Sequence, residues 1–423
     1  MSLSISNSKK AIIYTMIATT MLMLPAVALV NHFIRFAENN AGDVFGVQRI
    51  RSTLNALPII AESTKETVLV FGSSLVKDGF SPRYFDETVN RNTTLDIQSF
   101  NIGLGNMNPA YQKLLAKRIK ETLAQHDKRL SVSLIEFNPF LATKKREQFR
   151  PFLKEQVTAL LMSDAELLKL AEDDIELFAR MAATKYLRNG VSAEAITGGL
   201  KTIIDSAQSQ APLAAQFDDE YLQVLAERKA LYRKLSQAIN KAQPTTKKSH
   251  IWNPNTQGGL IDMIDLPIED HELVSSLTQN MQYPKTLQFD LQSRINCCDI
   301  LELGFSDSLL SDFESVIEEF QSFSDKVEVV LMPRNKDIVK PSPKTEEKLN
   351  QLLANISEKL GIKIRNYQTH PKFDATMFYD ATHLSMDKGR LAFSELLAND
   401  LSQSMVQLAE KQTGTPIIAK AMQ

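Results

Sequence analysis

The sequence is poor in cysteine and has no excess of either charge. Its 423 residues include two cysteines, Cys297 and Cys298, which are neighbours in the chain. A disulfide between neighbours would close a strained ring and no useful loop, so a disulfide framework is not expected. The formal net charge is −2, whereas proteins that bind nucleic acid usually carry a basic excess or stripe. We therefore expect no nucleic-acid partner.

Patterns typical of metal and nucleotide sites are also missing. The chain has six histidines, and none of them stands in a His-x-x-x-His pattern. A Cys-x-x-Cys pair and a dense carboxylate cluster are absent, so no metal site is predicted. Gly103-Leu104-Gly105 lacks the spacing and the lysine of a phosphate-binding loop. The sequence therefore predicts neither a metal nor another cofactor.

One long uncharged run stands near the N-terminus. Residues 11–30 carry no charge and follow Lys9 and Lys10, and about twenty apolar residues are enough to cross a hydrocarbon core as a helix. The lysines favour a single membrane anchor, residues 1–31, with the rest of the chain outside the cytoplasm. A cleaved signal peptide is the alternative, because residues 25–28 offer a small-residue cleavage site. The run exceeds the roughly 7 to 15 apolar residues usual in signal peptides, which favours the anchor.

A short buried strand is predicted near residue 70. Val68 to Phe71 are four consecutive apolar residues, the pattern of a parallel strand covered by helices on both faces. The strand ends in Gly72-Ser73-Ser74, and a glycine there lets the backbone turn sharply. The next side chain can then stand at the carboxyl edge of the sheet, where open α/β sheets place their ligands. Ser74 is therefore a candidate nucleophile.

A serine nucleophile needs a base, and the base needs a group that orients it. His383 follows Asp380 by three residues, and a helical pattern comes after it. This spacing predicts a loop in which Asp380 bonds one ring nitrogen of His383 and leaves the other for Ser74. His370 is the rival base, with Asp374 at a less suggestive spacing.

Alternating strand and helix patterns occur on both sides of a long helical stretch. The first set fills residues 66–140, after a mixed stalk at residues 32–65, and the second fills residues 305–403. Such alternation predicts an α/β fold, a parallel sheet of about five strands with helices on both faces. Residues 141–304 show amphipathic patterns and few strand signals, so they form a predicted helical insertion. A tail that is partly ordered at most is expected at residues 404–423.

Several helices have predicted limits. Asn108 followed by Pro109 predicts the start of a helix, and Gly361 predicts the end of one. Within the insertion, residues 164–188 read as one long amphipathic segment. The final helix is expected to end at about Met405.

Two features of the insertion allow two interpretations each. Trp252, the one tryptophan of the chain, lies in a predicted loop at residues 243–259, and it is either a packing residue or a substrate contact. Lys144-Lys145-Arg146 is a basic cluster. It forms either a solvated face or a contact with anionic lipid headgroups or an anionic glycan.

Gly72-Ser73-Ser74-Leu75 and Asp380-Ala381-Thr382-His383-Leu384 resemble the first and last blocks of the SGNH (GDSL-type) hydrolase and acyltransferase superfamily. The resemblance covers residues 66–140 and 305–403. The Gly-Ser-Ser form behind a membrane segment is similar to the DltD-like branch, whose members help to O-acylate cell-envelope polymers beside a membrane-bound O-acyltransferase. The resemblance implies a flavodoxin-like three-layer fold and a triad of Ser74, His383 and Asp380.

The same resemblance implies an oxyanion hole. Its donors would be the amide of Ser74, the amide of Gly105, with Gly103 as the alternative, and the side chain of Asn138. N–H groups of this kind stabilise the charge that develops on the carbonyl oxygen during acyl transfer.

The sequence departs from the family pattern at two points. Ser73 stands where the first block usually has aspartate, and Glu136-Phe137-Asn138-Pro139 replaces the usual Gly-x-Asn-Asp of the third block. The first departure leaves the nucleophile intact. The second leaves the placement of Asn138 open.

The function implied by the resemblance is serine-dependent O-acylation, for example O-acetylation, of an envelope polysaccharide or other polymer. The domain would act on the periplasmic side of a bacterial inner membrane, with a membrane-bound O-acyltransferase as its partner. With water as the acceptor the same residues would make an esterase. A non-catalytic scaffold that binds glycan or an acyltransferase is the alternative from another class, and the altered third block is its best support.

Overall fold

The structure, a computed structural model, describes residues 23–38, 47–147, 151–197, 219–242 and 262–413, together with Tyr14 and Met21. The chain divides into two compact units. One comprises residues 1–48 and 150–209, and the other comprises residues 49–149 and 210–423. The second unit contains the sheet and every predicted site residue.

In chain order the helices and strands of the numbered set are α1 (Gln48–Ala61), β1 (Glu66–Gly72), α2 (Ser74–Gly79), α3 (Pro82–Asn92), β2 (Ile97–Gly103), α4 (Pro109–Gln125), β3 (Leu130–Glu136), α5 (Lys144–Glu147), α6 (Pro151–Leu161), α7 (Asp164–Asp173), α8 (Ile175–Ala182), α9 (Asp219–Ala242), α10 (His271–Met281), α11 (Pro284–Cys298), α12 (Asp307–Phe323), β4 (Ser324–Leu331), α13 (Pro343–Leu360), β5 (Lys363–Asn366) and α14 (Gly389–Thr413). Short 3₁₀ turns lie at Pro139–Leu141, Met263–Asp265, Ile268–Asp270 and Ala375–Met377, and a π-helical turn lies at Ala183–Leu187.

The five strands form one parallel sheet in the order β2-β1-β3-β4-β5. This confirms the predicted α/β class and the strand number. The order reverses next to β1, and in sheets of this order ligands bind at that switch point, outside the carboxyl ends of the strands. Gly72 pairs with Gly103 in the register, so β1 and β2 end together at this edge.

Alternate residues of β1 face two different helical layers. Val68 and Val70 share an apolar cluster with Phe85 of α3 and Phe393 of α14. On the other face, the ring centroid of Phe71 lies 4.9 Å from that of Phe320 of α12, and α12 also packs against α4. Burial of each such side chain stabilises the fold by about 1.5–3 kcal/mol. The continuous apolar run of β1 is therefore required by its two covered faces.

Two of the predicted helix limits are confirmed, the first in the segment after β2 and the second just before β5. Helix α4 begins at Pro109, and Asn108 caps it by accepting a hydrogen bond from Tyr111 N at 3.3 Å. Helix α13 ends at Gly361, whose φ of 62° is left-handed. Glycine adopts this conformation without strain.

The described part of the insertion is helical, with one isolated bridge between Thr143 and Phe305. The segment 164–188, read as one long helix, is instead three pieces, because Asp174 ends α7 and caps α8 by accepting from Leu177 N at 2.9 Å. The insertion also divides between the two units. Helices α6, α7 and α8 belong with residues 1–48, and α5, α9, α10 and α11 belong with the sheet.

Three parts of the chain that the sequence analysis discussed are described in detail by the structure. Residues 49–61 of the predicted stalk form all of α1 except Gln48, and they belong to the sheet unit, with Ala56 and Ile60 buried. The final helix runs past Met405, which is itself buried, to Thr413. Cys297 and Cys298 are joined in a disulfide, which spans no loop.

Several predictions concern residues outside the described ones. Within the described part of the chain, no helix combines the length and apolar character that a membrane span requires. Residues 1–13, 15–20 and 22 of the anchor predicted at residues 1–31 lie outside the described residues. The loop at residues 243–259 with Trp252 and the tail from residue 414 lie outside them as well.

The close approach of β2 to α2 is testable by adding a methyl group. A Cβ at Gly103 would lie 2.1 Å from Lys77 N, whereas a Cβ at Gly105 would meet nothing within 4 Å. We expect Gly103→Ala to lower the free energy of unfolding by about 3 kcal/mol and Gly105→Ala to change it by less than about 1 kcal/mol. Chemical unfolding followed by circular dichroism measures both. Equal stability of the two variants would contradict the close packing.

Candidate active site

The three residues of the predicted triad meet at the carboxyl edge of the sheet. Ser74 is the first residue of α2 and directly follows β1 and the cap residue Ser73. His383 and Asp380 lie on the loop that leads to α14. His383 Nε2 is 2.9 Å from Ser74 Oγ, and His383 Nδ1 is 2.8 Å from Asp380 Oδ2. Residues 309 positions apart in the chain are thus within hydrogen-bonding distance.

The Asp-x-x-His spacing lets the Asp380 carboxylate bond to the imidazole of His383 and to backbone amides of the same loop. Asp380 Oδ1 accepts hydrogen bonds from Thr382 N and His383 N, each at 2.7 Å. The other oxygen, Oδ2, faces His383 Nδ1. In the neutral imidazole this contact places the proton on Nδ1, so Nε2 is free to accept the proton of Ser74.

Burial and charge shift the pKa values of the pair in opposite directions. Asp380 is 5% exposed and His383 is 8% exposed. Burial alone would raise the pKa of Asp380, but the charges of His383 and Arg294 outweigh it and hold that pKa well below its ordinary value. Burial alone would lower the pKa of His383, but Asp380, and Asp78 after it, raise it above the ordinary histidine value. Asp380 therefore stays ionised throughout the neutral range.

Tyr379 and Asp78 complete the surroundings of the imidazole. The ring of Tyr379 stacks on that of His383, with 5.4 Å between centroids and 15° between planes. Burial raises the pKa of Tyr379 well above its ordinary value, followed in size by the charges of Asp78 and Asp380, so this side chain is neutral. Asp78 Oδ2 lies 3.9 Å from His383 Nε2. The ring is thus fixed in its plane and has a second carboxylate on the side of the nucleophile.

No family model and no curated protein matches this sequence. The interpretation of the site therefore depends on the contacts of its side chains and on the resemblance of the two short blocks. A serine hydroxyl bonded to an imidazole that a carboxylate orients is the arrangement of an activated nucleophile. The 2.9 Å between Ser74 Oγ and His383 Nε2 lies within the range needed for proton transfer.

The buried carboxylate of Glu136, at the end of β3, supports the residue before the nucleophile. Ser73 donates to it twice, from its backbone N–H and, at 2.9 Å, from its hydroxyl. A Cβ at position 72 would lie 2.3 Å from Glu136 Oε2, so the glycine is required for this approach. Burial raises the pKa of Glu136 to about 7, although both bonds from Ser73 favour the ionised form. A charged residue ending a fully buried strand is the sequence signal for this site, and sequence analysis passed over it.

The predicted oxyanion donors have different surroundings. Ser74 contributes the first amide of α2, one of those that a helix leaves without an intrahelical partner. Gly103 N donates to Asn101 Oδ1 at 2.9 Å, whereas Gly105 lies in an exposed turn with open space beside its Cα. The geometry therefore favours Gly105 over Gly103. Its role, like that of Ser74 N–H, stays a prediction.

Asn138 is held beside the nucleophile Ser74 by a hydrogen bond to Ser73, the residue that precedes Ser74. Its Nδ2 donates to Ser73 Oγ at 3.0 Å, and its Oδ1 accepts from Phe140 N at 3.0 Å. Both ends of the amide are thus engaged, and the side chain supports Ser73 together with Glu136. An oxyanion role for Asn138 stays a prediction.

The basic cluster and the rival base have local roles in the structure. Arg146 is buried, and its Nη2 donates to the backbone oxygen of Asn106 at 3.0 Å and to its side chain at 3.1 Å. This part of the cluster is therefore not a solvated face, and it holds the turn that contains Gly105. His370 Nδ1 accepts from Lys372 N at 3.2 Å and belongs to another turn.

Arg294, from the last helix of the insertion, is a site residue that sequence analysis missed. Its Nη2 lies 3.0 Å from Asp380 Oδ2 and 3.5 Å from His383 Nδ1. An arginine on an amphipathic helix ordinarily belongs to the solvated face, so nothing in the local pattern marks it. Its position depends on how the insertion packs against the loop at residues 375–388, which carries Asp380 and His383 and is called the catalytic loop below.

Glu136 gives the site a testable pH dependence of stability. Because its pKa rises from the ordinary 4.5 to about 7, its contribution is fully present below about pH 4.5 and is lost as the pH rises through about 7. Glu136→Gln cannot ionise, so its stability relative to the wild type should rise over this interval, by about 3 kcal/mol at most. Urea unfolding between about pH 5 and 8 measures the difference.

Another buried carboxylate, that of Asp86, provides the comparison. Burial raises the pKa of Asp86 to about 7 as well, so Asp86→Asn should change the pH dependence of stability in the same direction. In Glu136→Gln the contribution of Asp86 to this pH dependence should remain. Stability curves of the wild type and Glu136→Gln that stay parallel would show that Glu136 does not change its charge in this range.

Proposed function

We propose that this protein is a serine-dependent O-acyltransferase of SGNH type. The observation that carries the proposal is the unbroken line of hydrogen bonds from Asp380 through His383 to Ser74. Such a line activates the serine hydroxyl as a nucleophile toward an acyl carbonyl.

In the first step Ser74 Oγ attacks the carbonyl carbon of the acyl donor. His383 Nε2 takes the hydroxyl proton, and the resulting imidazolium is stabilised by Asp380. The amides of Ser74 and Gly105, with Asn138 as the third donor that the family pattern implies, would hold the carbonyl oxygen as it gains charge. Collapse of this intermediate transfers the proton to the leaving group and leaves the acyl group on Ser74.

In the second step an acceptor hydroxyl replaces the leaving group. His383 removes its proton as the oxygen attacks the acyl-Ser74 ester, and the proton returns to Ser74 Oγ as the ester bond breaks. A sugar hydroxyl as the acceptor gives an O-acylated glycan, and water gives hydrolysis. The site is thus chemically suited to a transferase and to an esterase, and we favour the transferase because of the anchor predicted at residues 1–31.

The resemblance to SGNH proteins supports the remainder of the proposal. The strand order β2-β1-β3-β4-β5 is the flavodoxin-like order that the resemblance implies. The two matching blocks follow β1 and precede α14, and their side chains meet. The acceptor is accordingly proposed to be a cell-envelope polysaccharide or polymer, acylated on the periplasmic side of a bacterial inner membrane beside a membrane-bound O-acyltransferase.

Labelling with a fluorophosphonate tests the activated serine. In full-length protein in native membranes we expect the probe to modify Ser74, and we expect Ser74→Ala and His383→Ala to abolish the labelling. The rate should rise with pH, with a midpoint above the ordinary histidine pKa, because Asp380 and Asp78 outweigh the effect of burial and raise the pKa of His383.

His370→Ala is the matched control, since His370 is the rival base and lies in a separate turn. It should label at the wild-type rate. Labelling that persists in Ser74→Ala at the wild-type rate, or that depends on His370 and not on His383, would refute the proposed nucleophile and base.

A further inference from the structure

The helical insertion contacts the catalytic loop at two places, one before Asp380 and one after it. From the turn after α10, Gln282 Nε2 donates to the backbone oxygens of Ala375, at 3.1 Å, and Phe378. From α11, Asp290 Oδ2 accepts from Ala381 N at 3.2 Å. These contacts hold the loop on either side of Asp380. The insertion is therefore part of the walls of the site.

Arg294 makes the contact nearest to the chemistry. Its Nε donates to Asp290 Oδ2 at 2.9 Å, one turn earlier on α11, and its Nη2 donates to Asp380 Oδ2 at 3.0 Å. The guanidinium is thus fixed at one end to its own helix and at the other to the triad. A planar arginine can bridge two carboxylates in this way, whereas a lysine presents a single point of charge.

With Arg294 in place, both oxygens of Asp380 are fully used. Oδ1 accepts from the amides of Thr382 and His383, and Oδ2 accepts from His383 Nδ1 and Arg294 Nη2. Rotation of the carboxylate would break at least two of these bonds. Without Arg294, Asp380 Oδ2 would keep one hydrogen-bond partner within the described residues, the Nδ1 of His383.

We propose that Arg294 is a positioning residue of the triad, supplied by the helical insertion, which holds the Asp380 carboxylate against His383 Nδ1. The proposal rests on the proposed function, because the triad it serves is that of the acyl transfer. It assigns a role to α11 in forming the site, in addition to any role in binding.

The charges around His383 give this contact a second effect. The titratable and charged groups that face the imidazole, directly or through a neighbour, are Asp380 and Tyr379 of its own loop, Asp78 and Lys77 of α2, Glu136 of β3, Tyr232 of α9, and Asp290 and Arg294 of α11. Asp380 and Asp78 raise the pKa of His383, and Arg294 lowers it. Loss of the guanidinium should therefore raise the pKa of His383 further.

The test compares Arg294→Met, Arg294→Lys and Lys285→Met in full-length protein in native membranes. Lys285→Met is the matched control, because it removes a positive charge from the same helix, where Lys285 pairs with Glu220 at 3.7 Å. Fluorophosphonate labelling is measured as a function of pH. Arg294→Met should label about ten- to a hundredfold more slowly than the wild type, with its midpoint moved to higher pH. Lys285→Met should match the wild type in both.

Arg294→Lys separates position from charge and covers the case in which Arg294→Met does not fold. Since lysine keeps the charge but cannot bridge Asp290 and Asp380, its midpoint should stay near that of the wild type while its labelling rate falls. A wild-type rate in Arg294→Lys, or a wild-type rate and midpoint in a folded Arg294→Met, would overturn the positioning role.

A measurement independent of the serine distinguishes this proposal from the proposed function. Nitrogen-15 histidine spectra of the purified full-length protein, with His383 assigned by its loss in His383→Ala, report the pKa of the imidazole without any reaction. If the wild type does not label but His383 titrates at higher pH in Arg294→Met, the proposed function fails and the contact of Arg294 stands. If the wild type labels and His383 titrates identically in both proteins, Arg294 has no such role.

Discussion

The ionised carboxylate of Asp380 is the constraint on which the rest of the site depends. A buried charge is strongly destabilising unless it is paired and hydrogen-bonded. Two loop amides, an imidazole and a guanidinium provide those partners for Asp380. The same bonds set the direction of His383 and therefore of its second nitrogen. Stability of the loop and alignment of the base thus follow from one set of contacts, and a change that weakens the first will disturb the second.

A second buried carboxylate, Glu136, accepts hydrogen bonds from the residue before the nucleophile and has an opposite environment. The bonds that it accepts from Ser73 come from neutral groups, whereas Asp380 is paired with the guanidinium of Arg294 and with an imidazole that can become charged. Burial therefore dominates at Glu136 and raises its pKa to about 7, while charge dominates at Asp380 and lowers its pKa. Two carboxylates with pKa values pushed apart in this manner differ in what they can do. Asp380 is a permanent charge, and Glu136 is a hydrogen-bonding support whose ionisation responds to pH near neutrality.

The parts of the site that could be predicted from the sequence are those with a local signal. Ser74 follows a buried strand and a glycine, and Asp380 precedes His383 at the spacing of a self-bonded turn, so a few residues carry each prediction. The parallel sheet was predictable because apolar runs alternate with helical patterns. Arg294 was not predictable, since its contact with a residue 86 positions away depends on the packing of helices in the insertion. The division of that insertion between two units likewise has no local signal.

The contact between α11 and the triad changes how the two classes of function can be told apart. If the protein is a non-catalytic scaffold, loss of the insertion should abolish its activity in the cell. Under the catalytic interpretation the same deletion removes Arg294, Asp290 and Gln282 from the loop that carries Asp380 and His383, so it should abolish activity as well. Deletion therefore cannot separate a scaffold from an enzyme in this protein. Single side chains can, because the contact given for Ser74 Oγ within the described residues is with His383 Nε2, and removing this oxygen leaves the bonds of Gln282, Asp290 and Arg294 to the loop in place.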